Sequence, residues 1–274
     1  MDNQLLWHSF YQEVNQPDKD IDLARAALFF AHAEFPNLDI EKYLDVLDQI
    51  AQEIEVQLNP ERYPLKVIKT INNHLFNHYN FRGNQENYYD PANSFLHLVL
   101  ERKLGIPISL SVVYLAIAQR LHFPMVGIGM PGHFLIRPEF EEVGIFVDPF
   151  NRGEILFEAD CQARLDETYH SQVVLNPSWL APVSKKQILS RMLNNLKFIY
   201  LHRREVDKAL SAMSAMVQIF PENVEEIRDR GLLYYQTKRW DEAILDLKYF
   251  LKVAPDSDDA PMIEMILKKM NQVS

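Results

Sequence analysis

Between Tyr200 and Pro255 the chain agrees with itself at a spacing of 34 residues: Tyr200 with Tyr234, Ala209 with Ala243, Met213 with Leu247, Met216 with Phe250, and Pro221 with Pro255. A period of this length, with aromatic, small, bulky and proline positions in fixed order, marks a stacked helical hairpin whose small residue lets its two helices approach. Gly231 fits a further small position of the second unit, whereas Lys197 departs from it in the first. A last helix over about 260–270 would cap the stack. Residues 183–274 are therefore expected to form an all-helical tail.

The remainder must fold differently, because the character of the chain changes at Pro177 and Pro182. With 274 residues, 47% of them hydrophobic and 24% charged, there is material for two domains, read as 1–180 and 183–274. A formal charge of -10 argues against a nucleic-acid surface, which relies on clustered Lys and Arg. One cysteine excludes an internal disulfide framework and a cysteine-based zinc site, and it suits a reducing cytosol. The opening MDNQLLWHSFYQEVNQPDKD lacks the basic and then apolar segments of a secretory signal. No apolar run approaches the roughly 20 residues of a membrane span. The expectation is a cytoplasmic protein with neither a nucleic-acid nor a membrane partner.

To about Leu58 the periodicity is helical. Leu23, Ala26, Ala27 and Phe30 share one helix face, and Pro36 ends that helix. Asp39 is placed to cap a second helix, with Tyr43, Val46, Leu47, Ile50 and Ile54 on its apolar face. A third helix is predicted from Pro64 to Asn77. His74 and His78 stand one turn apart near its end, a spacing that can ligate a metal, but the intervening Leu-Phe-Asn offers no carboxylate. No third ligand is evident in the sequence, so neither metal nor cofactor is expected.

The stretch from Asn80 to Phe157 carries the chemistry. Asp90 precedes Pro91 and should be extended, with a fresh helix starting near Pro91 or Asn93, capped by Asn93 or Ser94 and ended by Gly105. Pro107 then suits the entry of a strongly apolar helix over Val112–Leu121. Ser109 and Ser111 lie in its first turn, where backbone N–H groups favour a developing anion; either hydroxyl can cap the helix or serve as a nucleophile. Phe123–Gly129 reads as a strand. His133-Phe-Leu-Ile-Arg and Ile145-Phe-Val-Asp148 read as an antiparallel pair that can bring His133 to Asp148, the orienting half of a catalytic triad.

The runs Tyr89-Asp-Pro-Ala-Asn-Ser-Phe-Leu96, Arg102 with Gly105-Ile-Pro-Ile-Ser-Leu-Ser111, Pro131-Gly-His-Phe-Leu-Ile-Arg137 and Asp148-Pro-Phe-Asn151 closely resemble the bacterial SirB1 family, and the resemblance covers nearly the whole chain. It implies a transglutaminase-like, papain-like α+β core in which a nucleophile begins a helix and packs against a sheet bearing histidine and aspartate, followed by a tetratricopeptide tail. His133 and Asp148 match the family's histidine and aspartate, and its cysteine falls between Pro107 and Ser111, aligned with Ser109. Here the chain departs, since no thiol stands at this helix start and Cys161, outside the motif, reads as a small core residue. Two functions follow. One is a non-catalytic adaptor, a pseudoenzyme binding a protein or peptide through its cleft and tail; the other is a Ser/His/Asp hydrolase or acyltransferase with Ser109 or Ser111 as nucleophile.

Overall fold

Aspartates cap two of the early helices. The computed structural model describes residues 3–140, 144–169 and 173–270, and its early helices are α1 (Asn3–Val14), α2 (Leu23–Phe29) and α3 (Ile40–Glu55). Asp22 accepts the N–H of Arg25 and Asp39 that of Lys42, each satisfying a donor the first helical turn leaves open. The stripes Leu23, Ala26, Ala27 and Tyr43, Leu47, Ile50, Ile54 are buried, while Val46 is half-buried. α4 spans Pro64–Asn72. It stops short of the predicted Asn77 because residues Asn73–His78 widen into a π turn. That break is held from outside. The Asn72 side chain donates to the Gly153 carbonyl and accepts from the Tyr114 hydroxyl, and Arg152 donates to the Phe76 carbonyl and the Asn77 side chain.

Asp90 is extended, as the following proline requires, but Pro91–Asn93 forms only a 3-10 turn and α5 begins at Leu96 (Leu96–Arg102). The predicted cap at Asn93 fails because its buried side chain has other partners: it donates to the carbonyls of Asn87 and Tyr88 and accepts from Asn84. α5 ends at Lys103, in the left-handed region at φ +58°, rather than at Gly105. Gly105 instead joins β2 (Leu104–Gly105), paired in parallel with β1 (Arg82–Gly83). There a Cβ would stand 2.7 Å from Ser109 Oγ, so close packing on the next helix accounts for the glycine.

That helix, α6 (Pro107–Arg120), enters at Pro107 and is buried at every position from Pro107 to Ala118. An all-round apolar helix belongs at the centre. α6 packs against α2, α3 and α5, and against a five-stranded antiparallel sheet of order β6-β5-β4-β3-β7. Its strands are β3 (Met125–Ile128), β4 (Leu135–Pro138), β5 (Phe146–Asp148), β6 (Glu154–Leu156) and β7 (Pro182–Val183). The fold is α+β. α7 (Glu158–Tyr169) places Cys161 in a cluster with Ile128, Met130, Leu135, Phe146, Leu156 and Leu165.

The chain forms two compact units, residues 1–192 and 193–274, dividing within α8 (Lys185–Arg203). The second unit continues with α9 (Val206–Ile219), α10 (Val224–Gln236), α11 (Trp240–Val253) and α12 (Ala260–Met270). The period is visible in its packing. Ala209 and Ala243 are fully buried, and a Cβ on Gly231 would lie 2.8 Å from Leu247. Lys197, the odd member of the first small position, donates to the buried Glu226 at 2.7 Å. Arg230 grips Asp246 with two hydrogen bonds of 2.7 and 2.8 Å, a planar bidentate match. Among the described residues no helix is long and apolar enough to cross a membrane.

Candidate functional site

The β4–β5 register sets Ile136 opposite Val147. Continuing that pairing brings the turn before β4 to the end of β5. His133 lies in this turn, behind Gly132 at φ +71°, a conformation side chains rarely adopt. His133 Nε2 meets Asp148 Oδ2 at 2.7 Å. The contact predicted from the two strand patterns is formed.

Asp148 is fully buried, yet its carboxylate is well supplied with donors. Oδ1 accepts the N–H groups of Phe150 and Asn151, and Oδ2 accepts from Asn151 Nδ2 as well as from the imidazole. Burial alone would raise its pKa. The hydrogen bond and charge of His133, with the hydrogen bonds of Asn151, outweigh that and hold it below the ordinary value. Because the aspartate takes Nε2, the other ring nitrogen, Nδ1, is the one left for proton transfer or for a ligand. The ring makes an edge contact with Phe150 and keeps 13% of its side-chain surface exposed. Behind it, Arg191 of α8 donates to the His133 carbonyl at 2.9 Å and lies over the Phe134 ring.

The two serines have different engagements. Ser109 Oγ donates to the Asn93 carbonyl at 2.6 Å and lies 3.2 Å from the Ile106 carbonyl, while it accepts the Ile106 N–H at 3.1 Å. It is thus both a cap for α6 and a clamp on the Asn93 loop. Ser111 Oγ donates to the Pro107 carbonyl, one turn back, at 2.7 Å. Both residues are fully buried, and among the described residues no hydrogen bond joins either hydroxyl to His133. Cys161 offers no substitute nucleophile. Burial first, then the nearby Asp160, Glu158 and Asp148, push its thiol up to about 12, so that almost none is thiolate near neutrality.

Several residues of this region were not singled out from the sequence. Tyr88 touches Phe150, and burial raises its phenol pKa against the opposing influence of Arg191. Gly83 is required by closeness, since a Cβ there would fall 2.5 Å from the Phe150 ring. Neither spacing nor composition signals these contacts, because they join segments far apart in the chain. Elsewhere, Glu53 of α3 stands beside His74 and His78, so the carboxylate that the helix itself does not offer comes from another element.

Residues 41–194 match the family model of the transglutaminase-like superfamily, and residues 196–268 that of the tetratricopeptide repeat. The chain belongs to the transglutaminase-like superfamily, as a SirB1-type member. A UPF0162 protein of Xylella fastidiosa (strain Temecula1) is 32% identical over 96% of this chain and 95% of its own length. Protein SirB1 of Salmonella typhimurium is 28% identical over 88% of this chain and 87% of its own. F-box only protein 21 of Pongo abelii is 30% identical over 71% of this chain, which spans only 31% of that longer protein. No solved structure matches the chain. Within this transglutaminase-like frame, the start of α6 carries two serines whose hydroxyls are both engaged by backbone groups.

Proposed function

We propose that this SirB1-type chain is a non-catalytic, protein-binding or regulatory adaptor that engages a protein or peptide through its transglutaminase-like site and its tetratricopeptide tail. The observation that carries this reading is the engagement of both hydroxyls at the start of α6. A serine becomes a nucleophile when a base accepts its proton. Here the two protons point to backbone carbonyls, at 2.6 Å from Ser109 and 2.7 Å from Ser111. The lone thiol is buried and protonated. His133 and Asp148 then serve as a preformed hydrogen-bonding pair for a ligand held without a covalent bond. On the tail, Leu245, Tyr249 and Val253 follow one another along α11 at 71%, 44% and 50% exposure, apolar surface of the kind proteins dock on. A buried free cysteine suits a reducing compartment such as the cytoplasm.

The second reading, a Ser/His/Asp hydrolase or acyltransferase acting on an amide or ester, is favoured by the 2.7 Å contact of His133 with a carboxylate held ionised. A fluorophosphonate probe on the intact chain separates the two. The adaptor reading expects no labelling; labelling abolished both by His133→Ala and by Ser109→Ala or Ser111→Ala would overturn it. For the tail, proteins captured by the intact chain should be lost from Leu245→Glu combined with Tyr249→Ala, and unchanged capture would contradict recruitment through α11.

A further inference from the structure

We propose that Glu53, His74 and His78 form a binding site for a divalent first-row transition metal of the zinc class. One ligand atom from each lies within 4.8 Å of the others. His74 Nε2 and Glu53 Oε2 are 3.0 Å apart, and the two imidazole centroids 4.9 Å. Ligands bound at about 2.0–2.2 Å around a tetrahedral zinc stand roughly 3.3 Å from one another, so the Glu53–His74 pair is already at its final separation and His78 has to close by no more than about 1.5 Å. Two imidazoles and a carboxylate are the donors such ions favour.

The surroundings resemble a ligand shell more than a simple ion pair. Tyr79 Oη donates to Glu53 Oε2 at 3.0 Å, and Gln49 Nε2 to Oε1 at 3.2 Å. The Gln57 amide meets His74 Nδ1 at 3.3 Å. That amide nitrogen also donates to the Glu53 carbonyl at 3.4 Å, so it faces Nδ1 as a donor and leaves the ring proton on Nε2, towards Glu53; a metal entering between them takes the place of that proton. The histidines sit on the π turn that ends α4, which sets both rings towards α3. His78 packs on the rings of His74 and Tyr79, which brings its imidazole to the Glu53–His74 pair. Since His74 is buried and His78 exposed, the open side of the site faces water, with three protein ligands and a further position for solvent. The site shares no residue with the His133–Asp148 pair.

The test uses the full-length protein stripped with a chelator and titrated with zinc ion against a chromophoric competitor. One zinc per chain is expected. His78→Ala, at an exposed position that should not disturb the core, and Glu53→Gln should each weaken binding by at least about tenfold. His202→Ala serves as a control and should leave binding unchanged. Zinc should also raise the melting temperature of the wild type but not of His78→Ala. Failure of the wild type to bind zinc, or wild-type affinity in either His78→Ala or Glu53→Gln, would overturn the assignment.

Discussion

The start of α6 and the β4–β5 hairpin would be the two halves of one catalytic machine in a triad enzyme, yet they are built on opposite principles. At the helix start every polar side-chain atom of Ser109 and Ser111 turns inward to the backbone. At the hairpin, Asp148 gathers four donors in order to hold one imidazole whose second nitrogen is left available. The first arrangement stabilises a fold. The second orients a side chain and leaves one of its nitrogens open, and among the described residues no hydrogen bond links it to either serine. One set of hydrogen bonds fixes a helix entry and the other fixes the direction of an imidazole, and the two share no donor or acceptor.

Substitution at the hairpin should have the largest effect. Asp148→Ala leaves two backbone N–H groups and the imidazole without their buried acceptor, and should cost about 3–5 kcal/mol in urea unfolding. A loss below 1 kcal/mol would mean that the carboxylate holds nothing together. Acid sharpens the contrast next. Asp148, with its pKa below the ordinary 3.8, contributes stability that is present above that value and lost as pH falls through its lower folded value. The serines add no such dependence.

A separate acid limb comes from His97 on α5. Among the described residues neither of its ring nitrogens has a hydrogen-bond partner, and burial among Phe35, Tyr43 and Phe95 lowers its pKa from 6.5 to about 4. The fold therefore holds it neutral. That contribution is whole above pH 6.5 and falls, by as much as about 3 kcal/mol, as pH drops from 6.5 to about 4. His97→Leu should flatten this part of a stability–pH profile, leaving the lower limb of Asp148; a profile unchanged between pH 4 and 6.5 would refute it.

The smaller effects lie at the helix start. Ser109→Ala orphans the Ile106 N–H and the Asn93 carbonyl and should cost about 1–2 kcal/mol. Ser111→Ala removes only a bond back to the Pro107 carbonyl and should stay within about 0.5 kcal/mol of the wild type by thermal unfolding. Reversal of that order would show that Ser111, not Ser109, anchors the helix entry.

Local patterns made much of this legible. The 34-residue period, the apolar stripes of α2 and α3, and the entry of α6 at Pro107 each depend on neighbours within a few turns, so residue spacing reveals them. The contact of His133 with Asp148 was readable because a short antiparallel hairpin leaves little choice of register. What stayed hidden depends on distant partners. Asn93 reads as a helix cap until Asn84, Asn87 and Tyr88 are seen around it. The role of Ser109 is decided by a carbonyl 16 positions earlier. Likewise Glu53 joins His74 and His78 from another helix, so no local motif could announce the set.

The most direct test of whether the hairpin and the helix start act separately is a double-mutant cycle between Ser109→Ala and His133→Ala, read by denaturant unfolding. Independent regions predict additive losses, with a coupling below about 0.5 kcal/mol. A coupling above about 1 kcal/mol would mean that hydroxyl and imidazole work as one unit, and would contradict the account.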